Sequence, residues 1–116
     1  MHIPVIGFIP PVAGVDKEFN TFRLGLKLSK TLQVGSKVFL MDEKAKIVFG
    51  SAEVTDIVSG ELGELCLLHA ATNHRELAND PIGAPERLYK YIEKLFGPHI
   101  VNPKKNTTVV FMRRLE

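Results

Sequence analysis

The sequence predicts an α+β domain, a small mixed β-barrel with two main helices inserted before the closing strand. Three observations carry this reading. Up to Asp56 apolar and polar residues alternate at strand spacing, from Ser59 to Phe96 the apolar residues recur at helical spacing, and Thr107 to Met112 returns to β-branched and aromatic residues. A last strand that rejoins a sheet laid down earlier is what a closed or nearly closed barrel needs, and closure protects the sheet edges.

Met1 to Val15 carries Pro4, Pro10 and Pro11 with Gly7 and Gly14 among apolar residues. That excludes a helix interior and predicts an extended segment packed at a sheet edge or across the barrel. Asp16 to Asn20 reads as a short helical turn. Thr21-Phe22-Arg23-Leu24 reads as a half-buried strand, with Phe22 and Leu24 on one side and Thr21 and Arg23 on the other. Gly25 to Gly35 reads as a loop or irregular strand. Lys37 to Met41 and Lys46 to Asp56 are two strands joined at the polar connection Asp42-Glu43-Lys44, and Gly50 marks a bulge or bend. Ser59 or Gly60 then caps a first helix whose inward stripe is Leu62, Leu65, Cys66 and His69. After the loop Asn79 to Gly83, a second helix starts near Pro85 and buries Leu88, Tyr91, Ile92 and Leu95. Gly97-Pro98 ends it, and Asn102 to Asn106 is a basic turn leading into the closing strand.

With 116 residues, 45% hydrophobic and 24% charged, the chain has the composition of one globular domain, residues 1–116, with no second core. Its apolar runs fall far short of the roughly 20 residues that cross a bilayer. No charged stretch precedes an apolar one at the amino end, so the expectation is a soluble, cytoplasmic protein with no membrane partner. Cys66, the only cysteine, forms no intramolecular disulfide, and its leucine neighbours predict a buried structural thiol.

The four histidines are His2, His69, His74 and His99. His69 and His74 miss the helix-face spacing of three or four that a ligand pair would have, and no Cys-x-x-Cys supports them, so no metal is expected. Glycine fingerprints for phosphate loops or dinucleotides and the Gly-x-Ser-x-Gly elbow are likewise missing, so no cofactor is expected.

The informative stretch is Lys17 to Gly25. Lys17, Thr21 and Arg23 around one strand entrance would bring a hydroxyl and two cations to one concavity, suited to an anionic or carbonyl-bearing ligand. A plainer alternative has Arg23 paired with a nearby carboxylate and Thr21 serving β propensity. Lys27, Lys30 and Lys37 follow with few acids between them, and Lys104, Lys105, Arg113 and Arg114 lie on or beside the closing strand. Barrel closure would merge these into one positive surface able to contact phosphates, with Phe19, Phe22 or Tyr89 as rings for stacking on a base.

Thr21-x-Arg23, the turn Val34-Gly35-Ser36-Lys37-Val38, the strand Gly50 to Asp56, the helix ending Leu67-Leu68-His69-Ala70, the helix Arg87 to Phe96 and the strand Thr107 to Met112 together resemble the ASCH family of the PUA-like superfamily. The resemblance runs from about Lys17 to Arg114. It implies a cleft beside Thr21 and Arg23 that takes RNA, a nucleotide or a modified nucleoside, with Lys27, Lys30, Lys37, His69 and Asn73 as further ligand-binding candidates. The element order is also similar to that of an amidohydrolase acting on acetylcytidine, which would make Thr21 the nucleophile or its relay and Lys17 the activating base. Glu18 stands where that pattern has lysine, and Asn73 stands where it has glutamate, so the general acid/base step has no evident carrier, Glu76 and Glu18 being the carboxylates left to supply it. A third implied class is a protein-interaction module, phage-derived.

Overall fold

The computed structural model describes residues 3–115, so His2 lies outside it. The elements are β1 (Val5–Phe8), β2 (Glu18–Leu24), α1 (Lys27–Thr31), β3 (Lys37–Asp42), β4 (Ile47–Glu61), α2 (Leu62–His69), a 3-10 turn (Ala70–Thr72), α3 (Ala84–Phe96) and β5 (Asn106–Leu115). They form one mixed sheet in the order β1-β3-β4-β5-β2, with β1 parallel to β3 and the other pairs antiparallel. Among the described residues no helix is long and apolar enough to cross a membrane.

The sheet curls into a half-barrel because β4 is bulged twice. Against β3 its register skips Phe49, beside Gly50, and against β5 it skips Thr55. A Cβ at Gly50 would run into the Arg114 guanidinium and displace it. The two end strands, β1 and β2, share no ladder. A side chain joins them instead: Arg23 Nη2 donates to the Gly7 carbonyl at 2.7 Å.

Two apolar clusters sit on opposite faces of the sheet. Ile6, Phe8, Phe19, Val38, Leu40 and Met112 belong to the cluster that fills the concave side. Leu62, Cys66, Ala84, Leu88 and Ile92 pack α2 and α3 onto the other side, against Phe22 and Leu24 of β2. β5 is buried on both faces, which explains why Thr107 to Val110 shows no alternation in sequence.

Three expectations are corrected. Residues 16–20 form no helical turn; β2 already begins at Glu18, because pairing with β5 from Glu18↔Arg113 onward gives the backbone a ladder. Gly25 to Gly35 contains the short helix α1, whose Ser29 hydroxyl bonds the Leu26 carbonyl at 2.6 Å. Ser59 and Gly60 cap nothing: β4 continues to Glu61 because β5 reaches back to Asn106 opposite it. The helix then starts at Leu62 without a side-chain cap, and its first N–H groups bond the carbonyls of Lys105 and Pro103 at 2.9 and 2.8 Å.

The β3–β4 hairpin turns on Asp42, whose Oδ1 accepts from the N–H groups of Lys44 and Ala45, both at 2.9 Å. Lys46 closes the turn at φ 58, a left-handed conformation that favours glycine. Lys46→Gly is therefore expected to raise stability by up to about 1 kcal/mol, less the few tenths contributed by the exposed Lys46–Glu43 pair. A urea midpoint that falls instead would contradict this account of the turn.

Candidate functional site

The seam between the two end strands, where α3 crosses it, leaves a cavity of about 110 Å³. Its walls come from β1 at Gly7 and Phe8, from β2 at Thr21 to Leu24, from the segment 73–75, and from α3. The sheet order dictates this location. Successive residues of a strand send their backbone groups to alternate sides. The Asn20 carbonyl accepts from His74 N–H at 3.1 Å on the side of β2 away from β5, so Phe22 and Leu24 also direct their backbone groups to that unladdered edge.

Arg23 crosses the seam. Besides the bond to Gly7, its Nε donates to Thr21 Oγ1 at 3.2 Å, and its guanidinium lies 5.3 Å from the centre of the Phe8 ring. Burial lowers the Arg23 pKa from its ordinary value, opposed in part by the charge of Glu43. Glu43 itself lies against Gly7, where its buried Oε2 has no partner. The plainer alternative for Arg23 thus does not hold in its simple form among the described residues: the Glu43 carboxylate is near, but no ion pair with Arg23 forms there.

Arg75 places its guanidinium 3.7 Å from the centre of the Tyr91 ring, a cation–π stack that fixes its plane. Between them His74 meets Phe8 edge-on at 4.9 Å. Burial first, then the charges of Arg23 and Arg75, push the His74 pKa down to about 4 against a hydrogen bond to the Ala13 carbonyl. The ring is therefore neutral near pH 7, and its buried Nδ1 has no partner among the described residues.

Segment 69–75 is held by a buried amide pair. Asn20, with no exposure, donates from Nδ2 to the His69 carbonyl at 3.0 Å and to Thr72 Oγ1 at 2.8 Å. Asn73 donates from its own Nδ2 to the Asn20 carbonyl at 3.3 Å and accepts the Arg75 N–H on Oδ1 at 3.0 Å. Position 73 is thus occupied by an amide that both donates and accepts, which a carboxylate could not do.

Of the residues expected from sequence, Thr21, Phe22, Arg23 and Asn73 line the cavity, and Phe19 and Tyr89 do not. Lys17 does not: it is exposed before the start of β2, about 13 Å of extended chain from Thr21, so the structure does not bring the pair together. Lys27, Lys30 and Lys37 are exposed elsewhere, Lys37 over its neighbour Phe39, and the His69 ring meets Phe111 edge-on at 5.0 Å. Arg113 is paired with Glu53. Arg114 is turned onto the carbonyls of Val15 and Phe49 at 3.0 and 3.2 Å, and staples the amino-terminal segment to the bulge of β4. Glu76 is buried against Arg87 at 2.7 Å, and Glu18 is exposed. His74, Arg75 and Tyr91 were not read as site residues from sequence; Tyr91 was assigned to a buried stripe, and an arginine in a loop carries no periodicity that ties it to a ring on a later helix.

A larger hollow of about 410 Å³ lies between α2 and α3 at Cys66, Leu67, Tyr89 and Pro103. It is shallow and apolar, and burial pushes the Cys66 thiol up to about 11, away from nucleophilic use. Among the described residues no three His, Cys, Asp or Glu side chains gather as a metal site would need. The convergent polar groups of the seam make it the better candidate.

No protein-family profile matches the chain, and no curated protein sequence matches it. Solved structures do. A protein of the DUF984 family from Enterococcus faecalis V583 is similar at TM-score 0.59 and 8% identity, over 85% of this chain and 61% of that one. The ASCH protein of Zymomonas mobilis is similar at TM-score 0.53 and 17% identity, over 94% of this chain and 65% of that one. A variant of the latter gives TM-score 0.55 at 16% identity, over 94% and 67%. This chain therefore spans only about two thirds of the length of these structures. The likeness shows the fold: the chain has an ASCH-like α+β fold, with a mixed five-stranded half-barrel and helices on its outer face.

Proposed function

We propose that this ASCH-like domain binds RNA, a nucleotide or a modified nucleoside in the cavity beside Thr21 and Arg23. The observation that carries the reading is the convergence of a hydroxyl, two guanidinium groups and unladdered strand edges on a hollow whose walls include Phe8, Phe22 and Tyr91. Rings and chain edges suit a planar, polar ligand, and the cations suit its phosphates.

Binding is favoured over hydrolysis by what lines the cavity. Neither lysine nor carboxylate is among its described lining residues, and the one imidazole there, His74, has its pKa pushed down to about 4, which makes it a weak base for a hydroxyl. Thr21 Oγ1 also accepts a hydrogen bond from a cation, which withdraws electron density from the oxygen rather than activating it. Outside the cavity, Gly25 N–H bonds the Asn106 carbonyl at 2.7 Å and Thr108 Oγ1 bonds the Gly25 carbonyl at 2.8 Å. These bonds join the chain leading into α1, which bears Lys27 and Lys30, to the turn bearing Lys104 and Lys105, a second positive area for a longer strand.

The test is fluorescence anisotropy with short labelled RNA. Affinity is expected to fall steeply between 50 and 200 mM salt, and by about tenfold or more in Arg23→Ala, with a smaller loss in the doubly substituted Lys104→Ala, Lys105→Ala protein. Retention of no nucleic acid, with salt-insensitive capture of a protein, would exclude the reading. Release of acetate from acetylated cytidine, abolished by Thr21→Ala, would replace it with the hydrolase.

A further inference from the structure

We infer that Arg23 and Arg75 make the cavity a receptor for a phosphomonoester, the terminal phosphate of a nucleotide or RNA end. The nucleoside would then lie outward, along the exposed end of α3 at Leu95 and Phe96. This rests on the nucleotide-binding reading above and specifies which part of the ligand enters.

Charge is the first argument. Both guanidiniums line one cavity that no carboxylate lines, and the ion pairs among the described residues involve neither of them. Leaving the buried Arg23 cation without a counter-ion is costly, and an entering anion would offset that cost. A phosphomonoester carries about 1.5 to 2 negative charges at pH 7, which matches two guanidiniums. An internal phosphodiester carries one, and a nucleoside none.

Size and hydrogen-bond supply agree. A cavity of about 110 Å³ has room for a phosphate group, whereas a whole nucleoside would overflow it. Arg23 has committed Nε and one Nη2 hydrogen, which leaves Nη1 free. Arg75 is held only by its face on Tyr91, and among the described residues its guanidinium donates no side-chain hydrogen bond, so its whole planar edge is available for bidentate contact. Thr21 accepts from Arg23 and so keeps its own hydrogen for a ligand oxygen. Glu43, behind Gly7, is the acid that tempers Arg23 without pairing to it.

Isothermal titration of the full chain with each of the four nucleosides, its 5′-monophosphate, inorganic phosphate, and an RNA pentamer with and without a terminal phosphate tests this. The monophosphate and the phosphorylated pentamer are expected to bind at least tenfold tighter than their unphosphorylated forms. Arg75→Gln should erase that ratio, Arg75→Lys should restore part of it, and Glu43→Gln should tighten phosphate binding a few-fold. In carbon-detected NMR, phosphate should raise the pKa of His74. The charged groups facing that ring are Arg23 and Arg75, with the Ala13 carbonyl and the Phe8 and Phe19 rings completing its surroundings. Equal affinity for nucleoside and monophosphate, or a ratio untouched by Arg75→Gln, overturns the phosphate assignment while the nucleotide-binding reading stands. Inorganic phosphate binding alone, with no affinity for any nucleotide or RNA, overturns the parent reading and keeps the anion site. Absence of all binding overturns both.

Discussion

Asn20→Ala is expected to lower the stability of the folded chain by about 3 kcal/mol and to remove ligand binding with it. The side chain has no exposure and holds segment 69–75 through two donated bonds, to the His69 carbonyl at 3.0 Å and to Thr72 Oγ1 at 2.8 Å. Each such bond contributes about 1 kcal/mol net, and a buried partner left unsatisfied adds a further penalty of about 1–3 kcal/mol. Part of that penalty is relieved here, because the Thr72 hydroxyl also reaches the His69 carbonyl at 3.2 Å. The functional loss follows from the chain path: Asn73, His74 and Arg75 are the next residues along the segment, so loosening it removes Arg75 from Tyr91 and opens the cavity.

Asn20→Asp separates the two causes. An ionised carboxylate cannot donate to the His69 carbonyl, so oxygen would face oxygen in a fully buried site, and the variant should be less stable than Asn20→Ala at pH 7 although it is closer in shape. A double-mutant cycle with Asn73→Ala should give a coupling of about 0.5 kcal/mol or more, since Asn73 Nδ2 donates to Asn20 Oδ1 at 3.4 Å. If Asn20→Ala costs less than about 1 kcal/mol in urea unfolding, or if the two substitutions simply add, the amide pair is not what holds the segment.

What was legible in sequence follows from how far each signal reaches. The strands and the second helix could be read because alternation and helical spacing are local: Val38 and Leu40 face inward together, and Leu88 and Ile92 lie one turn apart on α3. The ends of elements were misread where a distant strand decides. Ser59 and Gly60 carry a local capping signal, yet β5 pairs with β4 as far as Glu61 and overrides it. The same limit applies to the site. Thr21 and Arg23 were visible because they lie two residues apart on one strand. Arg75 and Tyr91 come from a loop and a helix, and Tyr91 satisfies the helical stripe whether it faces a core or a cavity. The expectation of one positive surface failed to foresee that Arg113 would find Glu53 and that Arg114 would be drawn onto backbone carbonyls, because side-chain partners across a sheet depend on register. Asn73, read as a ligand contact, does line the cavity, but its amide is committed to Asn20 and Arg75, so its contribution is positional.

Acidification should destabilise the fold through His74. Its pKa in the folded chain is about 4, held down by burial and then by the Arg23 and Arg75 charges, whereas an unfolded histidine titrates near 6.5. A depressed folded value means that the contribution is complete above about pH 6.5 and is lost as pH falls toward about 4; below that both states carry the proton and the slope ends. The gap corresponds to a loss of roughly 3 kcal/mol across the window, at about 1.4 kcal/mol per pH unit. His74→Phe keeps a ring against Phe8 and Phe19 and removes the proton, so urea unfolding at pH 7 and pH 4.5 should show a much shallower decline in the variant, whatever its absolute stability. Arg75→Gln should shrink the slope without abolishing it, because one of the two opposing charges remains. Saturating phosphate should shrink it too, since an anion between the guanidiniums cancels the field that keeps the ring neutral. A wild-type slope equal to that of His74→Phe would mean that the ring is hydrated in solution. The cavity would then be wetter, and its guanidiniums less in need of a counter-ion, than the packing of Phe8, Phe19 and Tyr91 around them implies.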